Sequence, residues 1–314
     1  MRVVVYLPLL LSLLAPLGAR RLSERCEPRL ATWLLTVSSL VLAATGTLSL
    51  GLLAATGLVR IPLLAALGHW SAHGAQRDDP TELSVALLAS LLLCAAVVTA
   101  ARMLGRRAHA LAAAALDAAC MPARDGLVVV DDPAPDAFAL PGLPGRVVVS
   151  TGMLHTLDAS EHDILLAHER AHLSAHHYAF VALAQLGAAT NPLLRPLATA
   201  VGYTTERWAD ESAAAATGDR ARVARTVGKA ALAARHSPTR SRLADAALGV
   251  FGRHRGPLAA AGPVPRRVAA LLTPPLGRHP VLAAATAAVL LAAALSSAEA
   301  AHDLHLLLEA IGAG

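Results

Sequence analysis

The stretch "DILLAHERAHLSAHHY", Asp163 to Tyr178, places four histidines and two carboxylates in a chain otherwise dominated by Ala and Leu. Imidazoles and carboxylates are costly in apolar surroundings unless they are paired or bound. His168 and His172 stand four residues apart. On a helix of 3.6 residues per turn they lie within about 40° of each other. Two neutral imidazoles one turn apart can share one divalent metal, which is why HExxH reads as a zinc-site signature. Glu169 projects about 100° round the same helix. From there it can reach a metal-activated water without being a ligand, the position of a general base in amide hydrolysis. Asp158 or Ser160 is the candidate N-cap, with Glu161 in the first turn, and the pattern predicts one amphipathic helix over about 160–178.

A catalytic zinc takes a third protein ligand and keeps an open position. Downstream, "TTERWADESAAA" offers Glu206, with Asp210 one turn later on the same face. Glu206 can ligate while Asp210 accepts a hydrogen bond from a ligand imidazole and fixes its tautomer. If the apolar run from Phe180 to Leu194 crossed a membrane once, His168 and Glu206 would lie on opposite sides. That run is also short and is broken by Asn191-Pro192 and Pro196, so a buried or membrane-skimming helix is expected there.

The rest of the chain is membrane-like. Of 314 residues 55% are hydrophobic and only 16% charged. A soluble domain carries about 25% charged residues. Mean hydropathy is +0.52. With aromatics at 3%, helices must pack through Ala, Leu, Val and Gly, and small residues permit close approach in bilayers. The formal charge of +5 comes from arginines beside apolar runs. Such placement suits the flanks of spans, and no direct nucleic-acid contact is expected. Cys26, Cys94 and Cys120 form neither a CxxC pair nor a disulfide framework.

Four runs approach or reach the roughly 20 residues a helix needs to span hydrocarbon: about 3–19, 32–59, 83–102 and 279–298. The first carries Pro8 and Pro16. It reads as a retained span rather than a signal peptide, because "GARRLSER" offers no small-x-small cleavage site. Arg20, Arg21, Arg25 and Arg29 follow the first span, and Arg102, Arg106 and Arg107 follow the third; the loop between the second and third sets Arg77 against Asp78, Asp79 and Glu82. Counting positive residues puts the N-terminus outside and residues 103–278 in the cytoplasm. A cleaved first run would invert every later side. The expected organisation is three spans in 1–102, a cytoplasmic α+β region over 103–278, a fourth span and a short outer tail over 299–314. In the central region "GLVVVDD" and "GRVVVST" read as strands around the Pro- and Gly-rich "PAPDAFALPGLPG".

"PDAFALPG", then "GRVVVSTGMLHTLDASEHDILLAHERAHLSAHH", then "ERWADESAAAATGD" resembles the membrane-integrated gluzincins of peptidase family M56, which include the β-lactam sensor-transducers; the M48 peptidases are near relatives. The resemblance extends over about Val128 to Pro275. It implies a zincin-like catalytic region, Zn2+ held by His168, His172 and Glu206, Glu169 as general base and Asp210 as the ligand-orienting aspartate. It also implies that Val147 to Ser150 is an edge strand that pairs with an extended substrate. The expected activity is a plasma-membrane zinc endopeptidase cutting a protein, such as a winged-helix repressor, at the cytoplasmic face. An M48-type quality-control or processing peptidase is the alternative, and a non-catalytic scaffold with a structural zinc is another. Only about sixteen residues follow the last span, so no extracellular antibiotic-sensing domain is expected.

His176 and His177 read as a polar helix end. Tyr178 and Tyr203 are candidate hydroxyls for stabilising the tetrahedral intermediate, with nothing in the spacing to select either. His69, His73, His302 and His305 read as solvated at the outer interface. Arg220, Arg222 and Arg225 read as a solvated face or a contact with anionic lipid. The sequence does not indicate an oligomeric state.

Overall fold

The computed structural model describes residues 4–58, 83–236 and 263–312. In chain order the elements are α1 (Val4–Arg25, a run of 3-10 and α turns), α2 (Pro28–Leu58) and α3 (Leu83–Cys120). Then follow β1 (Leu127–Val130), β2 (Ala137–Leu140), β3 (Arg146–Ser150), α4 (Thr151–Thr156), α5 (Ala159–Ser174) and α6 (His177–Thr190). The chain ends with α7 (Arg195–Thr217), α8 (Arg220–His236), α9 (Pro263–Leu271) and α10 (Pro280–Gly312). The described residues are mainly helical with one small sheet.

Helices α1, α2, α3 and α10 are long and apolar enough to cross a membrane. The first run continues without a break through "GARRLSER" and buries Ala15, Ala19 and Leu22 in the same core as α2, α6 and α7. Both α3 and α10 stay helical well beyond the apolar runs that suggested them. The loop with Arg77, Asp78, Asp79, Glu82, His69 and His73 lies outside the described residues.

Helix α2 is the hub, packing against α3, α6, α7 and α10. More than half of its apolar window is buried, against less than a third for the other three candidate spans. Its inward face carries small polar residues, Thr32, Ser39, Thr45 and Ser49 among them, whose hydroxyls bond to carbonyls of their own helix or to the neighbouring helices. Ser39 Oγ donates to the Ala184 carbonyl of α6 at 3.1 Å. Thr32 Oγ1 and Thr204 Oγ1 of α7 meet at 2.9 Å. Where α2 and α6 cross, a β-carbon on Gly187 would stand 2.3 Å from Ser39 Oγ and 2.8 Å from its carbonyl oxygen. Glycine is what lets these helices touch.

Helix α6 explains the run that reads ambiguously in the sequence. Fourteen residues rise about 21 Å at 1.5 Å each, short of the ~30 Å hydrocarbon thickness. The chain turns at Asn191, whose side-chain oxygen accepts from the Leu193 N–H and whose amide donates to Ser12 Oγ of α1 at 3.0 Å. The Ala189 carbonyl near the tip accepts from Thr99 Oγ1 of α3. The chain then returns as α7. The run is therefore one arm of a buried hairpin, and its two ends emerge together.

The sheet order is β1-β3-β2, with β1 parallel and β2 antiparallel to β3. Two expectations change here. β2 lies inside the segment read as a Pro- and Gly-rich connection, because four residues between turn-forming prolines give almost no periodic signal. Val147–Ser150 is the central strand, since β1 and β2 flank it. The edge nearest α5 belongs to β2.

Helix α5 starts as the sequence implies. The Asp158 carboxylate accepts the Glu161 N–H and the Glu161 carboxylate accepts the Asp158 N–H, each at 2.9 Å, a capping box. It ends four residues earlier than expected. His176 sits at φ +53° in the left-handed region, and the chain reverses there so that His177 opens α6.

Candidate metal centre

Helices α5 and α7 lie side by side, and their facing positions hold the chemistry. His168 Nε2 and His172 Nε2 stand 3.2 Å apart. Glu206 of α7 brings Oε2 to 3.7 Å from the first and Oε1 to 3.6 Å from the second. These three side chains form a group that can hold a metal ion, with one donor atom from each within 4.8 Å of the others. Zinc bonds of 2.0–2.1 Å in a tetrahedron imply ligand-to-ligand separations of about 3.3–3.4 Å. The observed spacings bracket that value, so the donor set fits zinc both in kind and in size.

Asp210, one turn beyond Glu206 and 1% exposed, brings Oδ1 to 3.1 Å from His168 Nδ1, off the line of an ideal hydrogen bond. Proton placement suits metal capture. Burial alone would discharge His168, but the Asp210 and Glu206 carboxylates outweigh it and raise its pKa to about 10. Burial pushes His172 down to about 4, so it is a neutral donor. Partial burial would raise Glu206, yet Arg267 and the imidazoles hold it well below the usual carboxylate range. One proton thus sits among three donors, where a dication would replace it.

Glu169 is 8% exposed, and burial lifts its carboxyl to about 7, with His168 opposing. It lines a cavity of about 200 Å³ with His168, Glu206, Arg267 and Asp136. The cavity's apolar wall includes Val223, Val227, Ala230, Ala231 and Ala234 of α8. Asp136 and Ala137, at the start of β2, complete the rim.

Arg267 of α9 is a central residue that the sequence did not flag. Its Nε and Nη2 donate to the two oxygens of Asp210 at 2.8 and 2.6 Å, and Nη1 lies 2.8 Å from Glu206 Oε2. Burial disfavours its charge, but the two carboxylates more than compensate. Its segment, "PVPRRVAAL", belongs to the stretch from Gly252 to Pro275, which reads in the sequence as a Pro- and Gly-rich lead into the last span. Both prolines occupy the first helical turn, where a missing N–H costs nothing. Arg220, expected on a solvated face, instead caps α9: its guanidinium donates to the carbonyls of Ala270, Leu271 and Thr273 and pairs with Glu211.

Other singled-out residues go elsewhere. Tyr178 packs against the sheet-side core and Tyr203 lies beneath Arg266, 4.5 Å from its guanidinium; neither lines the cavity. His305 pairs with Glu309 on α10. His177, read as part of a polar helix end, is completely buried and sits against His172.

Residues 102–190 match the model of peptidase family M48. The match takes in the sheet, the HExxH helix and α6, and stops before Glu206 and Asp210. It supports a metallopeptidase, and M48 peptidases are metal-dependent, typically on zinc. The M56 assignment suggested by the sequence resemblance finds no support in it. No curated protein and no solved structure gives a significant match.

Proposed function

We propose that the chain is a zinc-dependent endopeptidase embedded in the cell membrane, cutting protein substrates at the cytoplasmic face. The observation that carries this is the convergence of His168, His172 and Glu206 on one point beside a buried Glu169 that lines a cavity. His168 and His172 would hold the ion through Nε2, and Glu206 through its carboxylate. A bound zinc supplies Lewis acidity and lowers the pKa of a water to about 7.

This chain's residues do the rest. Glu169 accepts the proton of the attacking water and passes it to the departing amide nitrogen. Asp210 orients His168, and Arg267 keeps Asp210 and Glu206 ionised and aligned. An extended substrate pairs with the outer edge of β2, which carries the role first given to β3. The α8 wall receives an apolar side chain and excludes water.

The M48 match favours a membrane processing or quality-control role, and no feature of the chain favours a repressor as substrate. Arg29 stands over Trp208, 5.6 Å from its ring and two residues along α7 from Glu206. The arginine-rich segment 20–29 thus lies beside the metal group, which supports a cytoplasmic site under the positive-inside rule. A cytoplasm-sensitive reporter fused after Asp125 is expected to be active.

The decisive test compares wild type with Glu169→Gln in detergent, measuring bound zinc and cleavage of casein. The variant should keep stoichiometric zinc and lose at least about a hundredfold in rate. Unchanged cleavage would overturn the mechanism. Zinc-loaded wild type that cleaves nothing would leave the structural-zinc scaffold.

A further inference from the structure

His177 has no part in the reaction just described, yet it is the only histidine with no exposed surface among the buried polar residues described. Its Nδ1 lies 3.0 Å from His172 Nδ1. Its ring packs 4.7 Å from Trp208, and its Nε2 has no hydrogen-bond partner among the described residues. A fully buried imidazole with a single polar contact is expensive. That contact is therefore where its value to the protein must lie. The left-handed turn at His176 is what brings it there, folding α6 back so that its first residue tucks beneath the HExxH helix.

We infer that His177 is a positioning residue that accepts the Nδ1–H of His172 and so turns that ring's Nε2 lone pair toward the metal group. Two imidazole Nδ1 atoms at hydrogen-bond distance share one proton, and there are two ways to place it. If His177 donates, His172 must carry its own proton on Nε2 and cannot ligate. If His172 donates, its Nε2 lone pair faces His168 Nε2 and Glu206, and His177 keeps its proton on the unpartnered Nε2. Metal binding selects the second arrangement. His177 then stands to His172 as Asp210 stands to His168: each ligand imidazole has a partner beside its far nitrogen, one a carboxylate and one a neutral ring. Such outer partners are worth about 10- to 100-fold in metal affinity.

This inference rests on the metal reading above, and the experiment separates the two. Zinc dissociation constants are measured by chelator competition on the full-length protein in detergent, with melting temperatures of the zinc-free forms alongside. Wild type that binds no zinc would defeat the metal reading itself. Given binding by wild type, His177→Phe keeps the ring packing and removes the acceptor, and should weaken zinc binding about 10- to 100-fold. His177→Asn places an amide oxygen where Nδ1 was and should recover most of that loss. Should the Phe variant fail to accumulate, His177→Ala replaces it with the same expectation. Zinc binding by the Phe or Ala variant as tight as wild type overturns the inference. So does an Asn variant as weak as they are, because a purely packing role would not distinguish an acceptor from its absence.

Discussion

Helix α7 passes through two regions that solve opposite problems. Its first half, around Leu197, Ala198 and Val201, sits in an apolar bundle where α2 and α6 press together through Gly187 and Ser39. Its second half carries Glu206 and Asp210 into a cluster of charge held by Arg267 and the α5 histidines. In the bundle, precision comes from the absence of bulk. In the cluster it comes from compensating charge, and removing any member leaves another stranded. The bundle should therefore lose stability in modest steps, whereas the cluster should fail abruptly.

Arg267→Ala is the sharpest break. It strips the 1%-exposed Asp210 of its two guanidinium hydrogen bonds, a loss of about 3–5 kcal/mol for a broken buried pair. Thermal unfolding of the zinc-free protein should show it, and zinc affinity should fall with it. On the bundle side, Gly187→Ala forces α2 and α6 apart at a contact of 2.3 Å. Overpacking of this kind costs about 1–3 kcal/mol, with zinc stoichiometry retained in the surviving fold. If Gly187→Ala proves as damaging as Arg267→Ala, the contrast fails.

A third prediction concerns protons. His168 gains stability from a pKa raised to about 10 in the metal-free chain. That contribution is fully present below the unfolded value of about 6.5 and is lost as pH rises through about 10. Zinc must displace the same proton. Its affinity should therefore rise about tenfold per pH unit from about 7 towards 10, while the metal-free fold loses His168's contribution. Calorimetry in buffers of different ionisation enthalpy should register about one proton released per zinc near neutral pH. The mildest change is Asp158→Ala, which removes the α5 capping box at about 1 kcal/mol and should leave zinc affinity unaltered.

The spacing of His168, Glu169 and His172, and of Glu206 and Asp210, was readable because helical geometry converts four-residue steps into a shared face. The candidate spans were readable because length and hydropathy are local properties. Arg267 was hidden by prolines that normally signal a break and here start a helix. His177 was hidden for another reason. Histidine after histidine at the end of a polar run looks solvated, and only the left-handed residue before it turns the ring inward. β2 was too short, and β3's central place depends on which strands flank it, a tertiary fact.

The crossing at Gly187 sets more than local packing. A hydrogen stands there where other residues carry a carbon, so Ser39 fits against it like a tooth in a notch. Sliding the hairpin along α2 by one helical turn would bring Leu183 or Thr190, which share the face of Gly187, to that notch, and neither would fit. The depth of the hairpin in the bundle is thereby indexed, and with it the level at which α5 and α7 emerge side by side. Ten residues before its own position, the smallest side chain in the protein helps decide how high His177 and the histidine above it stand.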